Sequence, residues 1–238
     1  MSVKSAMVLA AGLGTRMRTL TDAIPKPLVP LAGKPLLDHV LDRLKSAGVE
    51  KVVVNVHYMA DQIEAHLSGR TAPQIVISDE RDMLLDTGGG VARALPMLGE
   101  DTFFINNSDS VWIESAAPCL EQMARAWNPD MMDTLLLLAP IHDTLGYQGR
   151  GDFDMNKDGL VSRLDEGEEV PFVFTGVSLA RKSLFEGCPE GKFSLNVLWD
   201  RSIARGRVYG MRLEGAWMHV GTPEAVREAG ERLHHGNG

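Results

Sequence analysis

The residues best suited to chemistry stand near the start of the chain, in LAAGLGTRMRTLTDAIPKP at 9–27. Gly12 and Gly14 follow an apolar run, and two arginines and a lysine come soon after them. Glycines let a backbone approach a ligand closely, and the N–H groups of such a turn can hold anionic oxygens. The pattern predicts a phosphate site; the alternative is a plain strand-to-helix turn with a solvated basic patch.

Two common phosphate-binding motifs do not fit this spacing. A dinucleotide-binding fingerprint requires G-x-G-x-x-G, and Met17 stands where the third glycine would be. A P-loop requires a lysine directly after its second glycine, and none stands there. What remains is GxGTR, followed by Arg18 and by Lys26 in a PKP turn.

The elements that must hold this loop alternate between apolar strands and amphipathic helices. Apolar runs predict strands at 6–11, 51–56, 74–79, 102–107 and 134–140. Helical spacing predicts helices at 36–48, 60–67, 88–98 and 118–127. Because the strands are apolar throughout, the alternation predicts a parallel α/β sheet covered by helices on both faces.

The pattern changes at about residue 141. Short apolar segments between Gly, Asp and Glu clusters, among them 172–180 and 207–213, predict antiparallel strands that flank a smaller lobe. Residues 217–233 predict a strand, a turn and a final helix that begins at Thr222-Pro223. We expect one domain over 1–238, divided into a core at about 1–140, the lobe at about 141–215 and a closing strand and helix at about 216–238.

Composition excludes several classes of protein. The 238 residues are 44% hydrophobic, which suits one sizeable core, and the net charge of −8 opposes broad nucleic-acid binding. No apolar run approaches the ~20 residues of a membrane span, and no signal-peptide pattern stands at the start. Cys119 and Cys188 lack metal-ligand spacing, so we expect reduced thiols in a cytoplasmic protein. We expect no membrane, nucleic-acid or protein partner.

The motifs resemble a known family. LAAGLGTRMRTLT, followed by PKPLVPLAGKPLLDHVLDRL, is similar to the N-terminal motif of the sugar-1-phosphate nucleotidyltransferases. Further motifs resemble those of the bacterial N-acetylmuramate-1-phosphate uridylyltransferases: LLDTGGGVARALPMLG, GRGDF, FTGVSL, LFEGC and WMHVGTPEA. These motifs run in order over nearly the whole chain.

The resemblance implies a fold and a reaction. The fold is a Rossmann-like three-layer α/β nucleotidyltransferase fold with a mostly parallel central sheet and a smaller antiparallel sugar-binding lobe. In the reaction, a phosphate oxygen of a sugar 1-phosphate attacks the α-phosphorus of a nucleoside triphosphate, and pyrophosphate leaves. The nucleophile is already an anion, because the second pKa of a phosphate monoester is ~6, so no histidine needs to act as a base. Positioning and electrostatics therefore carry the catalysis.

The resemblance also implies roles for the opening loop. Arg16 should hold the β- and γ-phosphates and stabilise the leaving pyrophosphate, for which its planar fork is suited. Lys26 should reach the α-phosphate or the sugar phosphate. Arg18 stays open between a phosphate role and an ordinary surface ion pair. Backbone contacts to the nucleotide are expected from Ala11, Gly12, Gly14 and Thr15.

Two later motifs complete the expected nucleotide site. TGGG should border the base, where a side chain at Gly88 would obstruct it; the alternative is a glycine-rich helix start. Asp86 is a candidate contact to the base or ribose. Asp109 in INNSDS matches the aspartate that holds Mg²⁺ in the family, a cation that prefers carboxylate and phosphate oxygens.

The chain departs from the family pattern at the second metal ligand. His219 stands where the family has an aspartate, and Ser110 follows the first ligand as an extra polar residue. His219 could bind a metal, which would suit Mn²⁺ better than Mg²⁺, or contact phosphate directly, or mark an impaired site. This departure affects the metal more than the class of reaction.

A sugar site is expected in the smaller lobe. Backbone of the GRGDF motif and a Thr-Gly pair should contact the sugar, and the aspartate of the motif should accept hydroxyl hydrogen bonds or shape a turn. Its arginine is a hypothetical partner for the lactyl carboxylate of N-acetylmuramate. The residues concerned are Gly149, Arg150, Gly151, Asp152, Thr175 and Gly176. Asp165 or Glu166 is a further acidic candidate.

Three functions compete. The first is the synthesis of UDP-N-acetylmuramate from UTP in peptidoglycan recycling. The second keeps the reaction but uses mannose or heptose 1-phosphate with GTP, or glucose 1-phosphate with UTP or dTTP. The third is a nucleotide- or sugar-phosphate-binding module without turnover.

Overall fold

The computed structural model describes residues 2–114, 117–163 and 169–235, and of Arg18, Thr19, His234 and His235 it describes the backbone alone. Its strands are β1 Ser5–Leu9, β2 Pro30–Leu31, β3 Lys34–Pro35, β4 Lys51–Val56, β5 Gln74–Asp79, β6 Thr102–Asn107, β7 Ser110–Glu114, β8 Thr134–Pro140, β9 Thr144–Leu145, β10 Asp154–Met155, β11 Val161–Ser162, β12 Phe172–Arg181, β13 Val208–Arg212 and β14 Gly215–His219. Its helices are α1 Arg18–Thr21, α2 Leu36–Ser46, α3 Ala60–Leu67, α4 Asp86–Leu98, α5 Cys119–Ala126, α6 Leu195–Ile203 and α7 Pro223–His235. The strands and helices expected before residue 141 are thus confirmed to within a few residues, as is the final helix.

The central sheet has the strand order β13-β8-β12-β6-β1-β4-β5. β12 runs antiparallel to both of its neighbours, β6 and β8, and the other pairs are parallel. The sheet is therefore mostly parallel, as expected, with its carboxyl ends at one edge.

Helices cover both faces of this sheet and make the fold three-layered. One face packs on α2, α3 and α5, and the other packs on α4 and α6. In α2, Leu37, Val40, Leu41 and Leu44 are fully buried, as their helical spacing requires. Full burial of such a side chain contributes about 1.5–3 kcal/mol, so this single helix face is a substantial part of the core.

The strands expected at 172–180 and 207–213 both form; the first is antiparallel to its neighbours as expected, but the second pairs parallel with β8, so the antiparallel expectation is wrong for it. β12 lies inside the central sheet, and β13 forms its edge beside β8. The pairing of β12 with β8 contains a register shift between Phe174 and Ser178, as at a β-bulge.

A smaller, three-stranded sheet brings distant segments of the chain together beside the end of β6. It has the order β7-β14-β9, and β7 pairs antiparallel with β14 so that Ser110 lies opposite His219. No helix in the described part of the chain is long and apolar enough to cross a membrane.

Candidate active site

A cleft of about 510 Å³ opens where β1 and β6 end. Ligands of open α/β sheets bind at such carboxyl ends. The structure brings together in this cleft most of the residues expected to handle nucleotide and metal. Its lining includes Ala11, Gly12, Gly14, Thr15, Arg16, Lys26, Asp86 and Asp109.

The glycine loop after β1 packs against the protein at Gly14 and faces the cleft at Gly12. Gly14 has φ +64°, and a Cβ there would lie 3.1 Å from the side chains of Lys26 and Thr21. The Thr21 hydroxyl donates to the Gly14 carbonyl at 3.0 Å, and Met17 is fully buried beneath the loop. A Cβ at Gly12 would meet nothing within 4 Å, so the backbone there is free to face a ligand.

Among the described side chains, three basic ones line the cleft: Arg16, Lys26 and Lys192. Lys26 forms an ion pair with Asp109, and both side chains are partly buried. In the part of the chain that is described, neither Arg16 nor Lys192 is paired with a carboxylate. Two basic side chains therefore face the cleft with donors available for anionic oxygens.

His219 lies beside this cluster because β14 pairs with β7, which begins directly after Asp109. Its Nε2 is 3.4 Å from Arg16 Nη1, and since a guanidinium only donates, this nitrogen must be the acceptor. Burial, and next the charge of Arg16, lower the pKa of His219. The imidazole is thus neutral at pH 7.

The donor set fits a magnesium ion held by one protein carboxylate. The described residues contain no group of three or more His, Cys, Asp and Glu side chains that could hold a metal. Mg²⁺ is commonly bound through one or two carboxylates with substrate phosphates and waters. Asp109, partly exposed in the cleft, can serve in that way.

The start of α4 forms the opposite wall. Asp86 has φ +64°, and its Oδ1 accepts from the N–H of Thr87 at 2.6 Å. The N–H groups of Gly88 and Gly89 donate to the carbonyl of Phe193 at 2.8 and 3.0 Å. This clamp carries Lys192, the residue before Phe193, to the cleft.

Gly88 differs from its expected setting. It is buried and is not part of the cleft lining, and a Cβ there would lie 2.4 Å from the ring of Phe193. Close packing against Phe193, rather than a nearby base, is the reason for a glycine at this position. A base contact from Gly88 stays a prediction without support from this geometry.

The residues expected to contact the sugar lie outside the cleft lining. The hydroxyl of Thr175 donates to the Leu137 carbonyl at 2.9 Å and is buried, so a sugar contact from Thr175 stays a prediction without support from this geometry. A Cβ at Gly176 would lie 2.2 Å from Ser110 Oγ, which explains this glycine by packing.

The GRGDF segment pairs with Val170 and with the first residues of β12. The carbonyl of Arg150 accepts from Val170 N–H at 2.9 Å, and the Asp152 carboxyl accepts from Phe174 N–H at 2.8 Å. The Arg150 side chain is exposed and pairs with no described carboxylate. Contacts of Gly149, Gly151 and Asp152 with a sugar stay predictions.

Sequence reasoning missed the cleft residues Asn55, Leu84 and Lys192, whereas Thr87, Asn107 and Ser108 lie within the TGGG and INNSDS motifs that it had named. The sequence did contain a signal for Asn55, because it is a lone asparagine among the valines of the strand segment KVVVNV. The sequence contained no signal for Lys192, because it reaches the cleft only through the hydrogen bonds from Gly88 and Gly89 to the neighbouring Phe193 carbonyl. The side chain of Arg18 and the candidates Asp165 and Glu166 lie outside the described residues.

The fold and this cleft are those of a nucleotidyltransferase of the α/β class: a glycine loop, basic side chains and the Asp109 carboxylate meet at the carboxyl ends of a mostly parallel sheet. The chain belongs to the family of MobA-like NTP transferase domains, whose family model matches residues 6–140.

Individual relatives match nearly the whole chain. It is 52% identical over 234 residues to the N-acetylmuramate alpha-1-phosphate uridylyltransferase of Caulobacter vibrioides, covering 97% of this chain and 97% of that protein. It is 36% identical over 227 residues to the protein of the same name from Neisseria meningitidis serogroup B, covering 94% and 96%. The structure of HddC from Yersinia pseudotuberculosis superposes with a TM-score of 0.79 at 23% identity, covering 97% of this chain and 100% of that one, which shows the shared fold.

Proposed function

We propose that this chain transfers the uridylyl group of UTP to N-acetylmuramate 1-phosphate, forming UDP-N-acetylmuramate and pyrophosphate. The observation that carries this proposal is the 52% identity to the Caulobacter uridylyltransferase over nearly the full length of both chains. The cleft supports it, since its lining supplies what a reaction between two anions requires.

The proposed step is an in-line displacement at phosphorus. An oxygen of the sugar phosphate forms a bond to the α-phosphorus of UTP, and the bond from that phosphorus to the α,β-bridging oxygen breaks. Pyrophosphate leaves with the electron pair. No proton has to be removed, because the attacking phosphate is already ionised near neutral pH.

Arg16 and Lys26 are assigned to the phosphates. Arg16 lies on the exposed rim and would hold the β- and γ-phosphates bidentately as charge builds on the leaving group. Lys26 lies deeper and would contact the α-phosphate or the sugar phosphate between the two reactants. Its pairing with Asp109 keeps it in place before substrate binds.

We assign Mg²⁺ as the cofactor, with Asp109 as its protein ligand and Mn²⁺ as the alternative. The bound ion would supply neutralisation of charge on the phosphate oxygens. The contact of His219 with Arg16 favours a role at the phosphates: the neutral imidazole would orient the guanidinium by accepting from it.

Arg150 is assigned to the lactyl carboxylate that distinguishes N-acetylmuramate from related sugars. Its guanidinium is exposed and has no described carboxylate partner. Arg150→Met should raise KM for N-acetylmuramate 1-phosphate about tenfold, as expected for loss of a charge-assisted hydrogen bond, and leave KM for UTP unchanged. An unchanged KM for the sugar phosphate would remove Arg150 from the sugar site.

A pyrophosphate-release assay tests the function. UTP, GTP, CTP, ATP and dTTP are crossed with the 1-phosphates of N-acetylmuramate, N-acetylglucosamine, glucose and mannose, each with Mg²⁺ and with Mn²⁺. Turnover confined to UTP and the muramyl substrate is expected, and it would place the protein in cytoplasmic peptidoglycan recycling. Turnover with GTP and mannose 1-phosphate, or nucleotide binding without turnover, would contradict the proposal.

A further inference from the structure

Asn55 and Glu80 form a hydrogen-bonded pair beneath one end of the cleft. Asn55 is 2% exposed and Glu80 is 0% exposed, and Asn55 Nδ2 donates to Glu80 Oε1 at 2.8 Å. Asn55 lies near the end of β4, and Glu80 comes directly after β5. The pair therefore lies at the same edge of the sheet as the cleft, where Asn55 also reaches the lining.

Each member of the pair holds one wall of the cleft. The N–H of Ala10 donates to Asn55 Oδ1 at 2.7 Å, at the point where β1 ends and the glycine loop begins. The N–H of Leu85 donates to Glu80 Oε2 at 3.1 Å, one residue before Asp86. The two side chains thus connect the start of the glycine loop to the start of α4.

Helix α4 packs directly on this connection. A Cβ at Gly90 would lie 2.8 Å from Glu80 Oε1 and 2.9 Å from Asn55 Nδ2. Among the described residues no lysine or arginine pairs with Glu80, so its carboxyl oxygens are satisfied by the two neutral donors. Loss of one of these hydrogen bonds would therefore loosen the connection between the two walls.

We propose that Asn55 and Glu80 are positioning residues for the nucleoside part of the substrate. They set the spacing between the glycine-loop wall and the Asp86 wall, while the phosphate-binding Arg16 and Lys26 belong to other segments. The inference rests on the proposed function, because it takes a nucleoside triphosphate as the ligand of the cleft.

The hydrogen-bond pattern makes the pair testable by exchange. In E80Q, the amide nitrogen of the new side chain faces a donor, either Asn55 Nδ2 or Leu85 N–H, so one bond is lost. In the double variant N55D/E80Q, the new aspartate accepts from Ala10 N–H and from the glutamine amide, whose oxygen accepts from Leu85 N–H. The double variant therefore keeps all three hydrogen bonds and reverses the direction of only the one between the two side chains.

The experiment is calorimetric binding of UTP and, separately, of inorganic tripolyphosphate to the wild-type protein and both variants. E80Q should weaken UTP binding about tenfold, the size expected for one buried hydrogen bond, and change tripolyphosphate binding by less than about twofold. N55D/E80Q should recover UTP binding to within about threefold of the wild type. Far-ultraviolet circular dichroism checks that each variant is folded.

Three results would overturn the proposal: equal weakening of both ligands by E80Q, unchanged UTP binding by E80Q, or no recovery in the double variant. If E80Q does not fold, N55D/E80Q alone tests the proposal, which then requires that this variant bind UTP to within about threefold of the wild type. A wild-type protein that binds tripolyphosphate but not UTP would overturn both this inference and the proposed function, whereas failure of E80Q or of the double variant overturns the inference alone.

Discussion

At the scale of residues, the cleft separates paired from unpaired cations. Lys26 is held by Asp109, whereas Arg16 and Lys192 meet no carboxylate among the described residues. A guanidinium or ammonium without such a partner binds an incoming phosphate without first breaking an ion pair. These two side chains are therefore the ones whose removal should affect substrate most directly.

Arg16→Met should lower kcat/KM for pyrophosphate release by about 10²–10³-fold, because it removes a fork that contacts charge developing on the leaving group. The kcat/KM of Arg16→Lys should lie between those of the wild type and Arg16→Met, since lysine keeps the charge and loses the bidentate geometry. Arg125→Met is the control: Arg125 forms an exposed ion pair with Glu121 on α5, and its loss should leave the kinetics unchanged. A loss in kcat/KM of less than about threefold for Arg16→Met would contradict the assignment.

Lys192→Met should raise KM for UTP about tenfold with little change in kcat, because Lys192 lines the cleft beside Asp86 and Thr87 at the wall opposite Arg16. Steady-state kinetics with UTP varied at saturating sugar phosphate measures this. Lys157→Met, at an exposed turn, is the matched control. Equal effects of the two substitutions would show that the loss is one of general surface charge.

At the scale of elements, pairing across long sequence distances assembles the site. The β7–β14 ladder places His219 beside Asp109, and the segment before α6 is clamped on the first turn of α4. A similar connection lies at the opposite edge of the sheet: Asp133 is 6% exposed and accepts from Ser202, Arg205 and Arg207, so it joins the start of β8 to the end of α6 and to the segment between α6 and β13.

Asp133→Asn should lower the free energy of unfolding by about 2 kcal/mol. This loss is smaller than that expected on breaking a fully buried ion pair, because Arg205 and Arg207 are partly exposed. Burial alone would raise the pKa of Asp133, but the hydrogen bonds from Arg207 and Ser202 and the two guanidinium charges hold it below its usual range. This stabilisation is therefore full above the unfolded pKa of ~3.9 and is lost as pH falls through the lower folded pKa.

Urea denaturation of the wild-type protein and Asp133→Asn at several pH values checks both statements. The difference in unfolding free energy should be constant near neutrality and shrink below about pH 4. Asp130→Asn, an exposed neighbour, should change stability by less than about 0.5 kcal/mol. A difference that grows as pH falls would contradict the assigned direction of the shift.

At the scale of the whole molecule, the two cysteines report on different parts of the fold. Cys119 is 3% exposed in the core cluster under one face of the sheet, and burial together with Glu114 raises its pKa far above the ordinary thiol value. Cys188 is half-buried after the strand β12. Reaction of Cys119 therefore requires that the core open.

In Cys188→Ala, the remaining thiol should resist a disulfide reagent such as DTNB under native conditions and react fully in denaturant. UTP with Mg²⁺ should slow any residual reaction further, because ligand binding stabilises the folded state. The absorbance of released thionitrobenzoate measures the rate. Rapid native labelling of Cys188→Ala would show that the core around α5 opens without global unfolding.

The sequence by itself determined what depends on local spacing. The glycine loop with Arg16 and Lys26, the apolar strands that end at polar residues such as Asp109, and the helices of the first 140 residues all follow from patterns within about ten residues. Such patterns decide the local backbone and which side chains face a neighbouring layer. The resemblance to a family also rested on these local motifs.

Only the tertiary structure decided what depends on contacts between distant segments. It placed β12 and β13 in the central sheet, packed Gly88 against Phe193, turned the Thr175 hydroxyl inward, and brought Lys192 and His219 to the cleft. The physical reason is that strand order, register and buried hydrogen-bond partners are settled by closing long loops around one shared core. Each such contact depends on residues of two segments that are distant in the sequence, so the local pattern of neither segment predicts it.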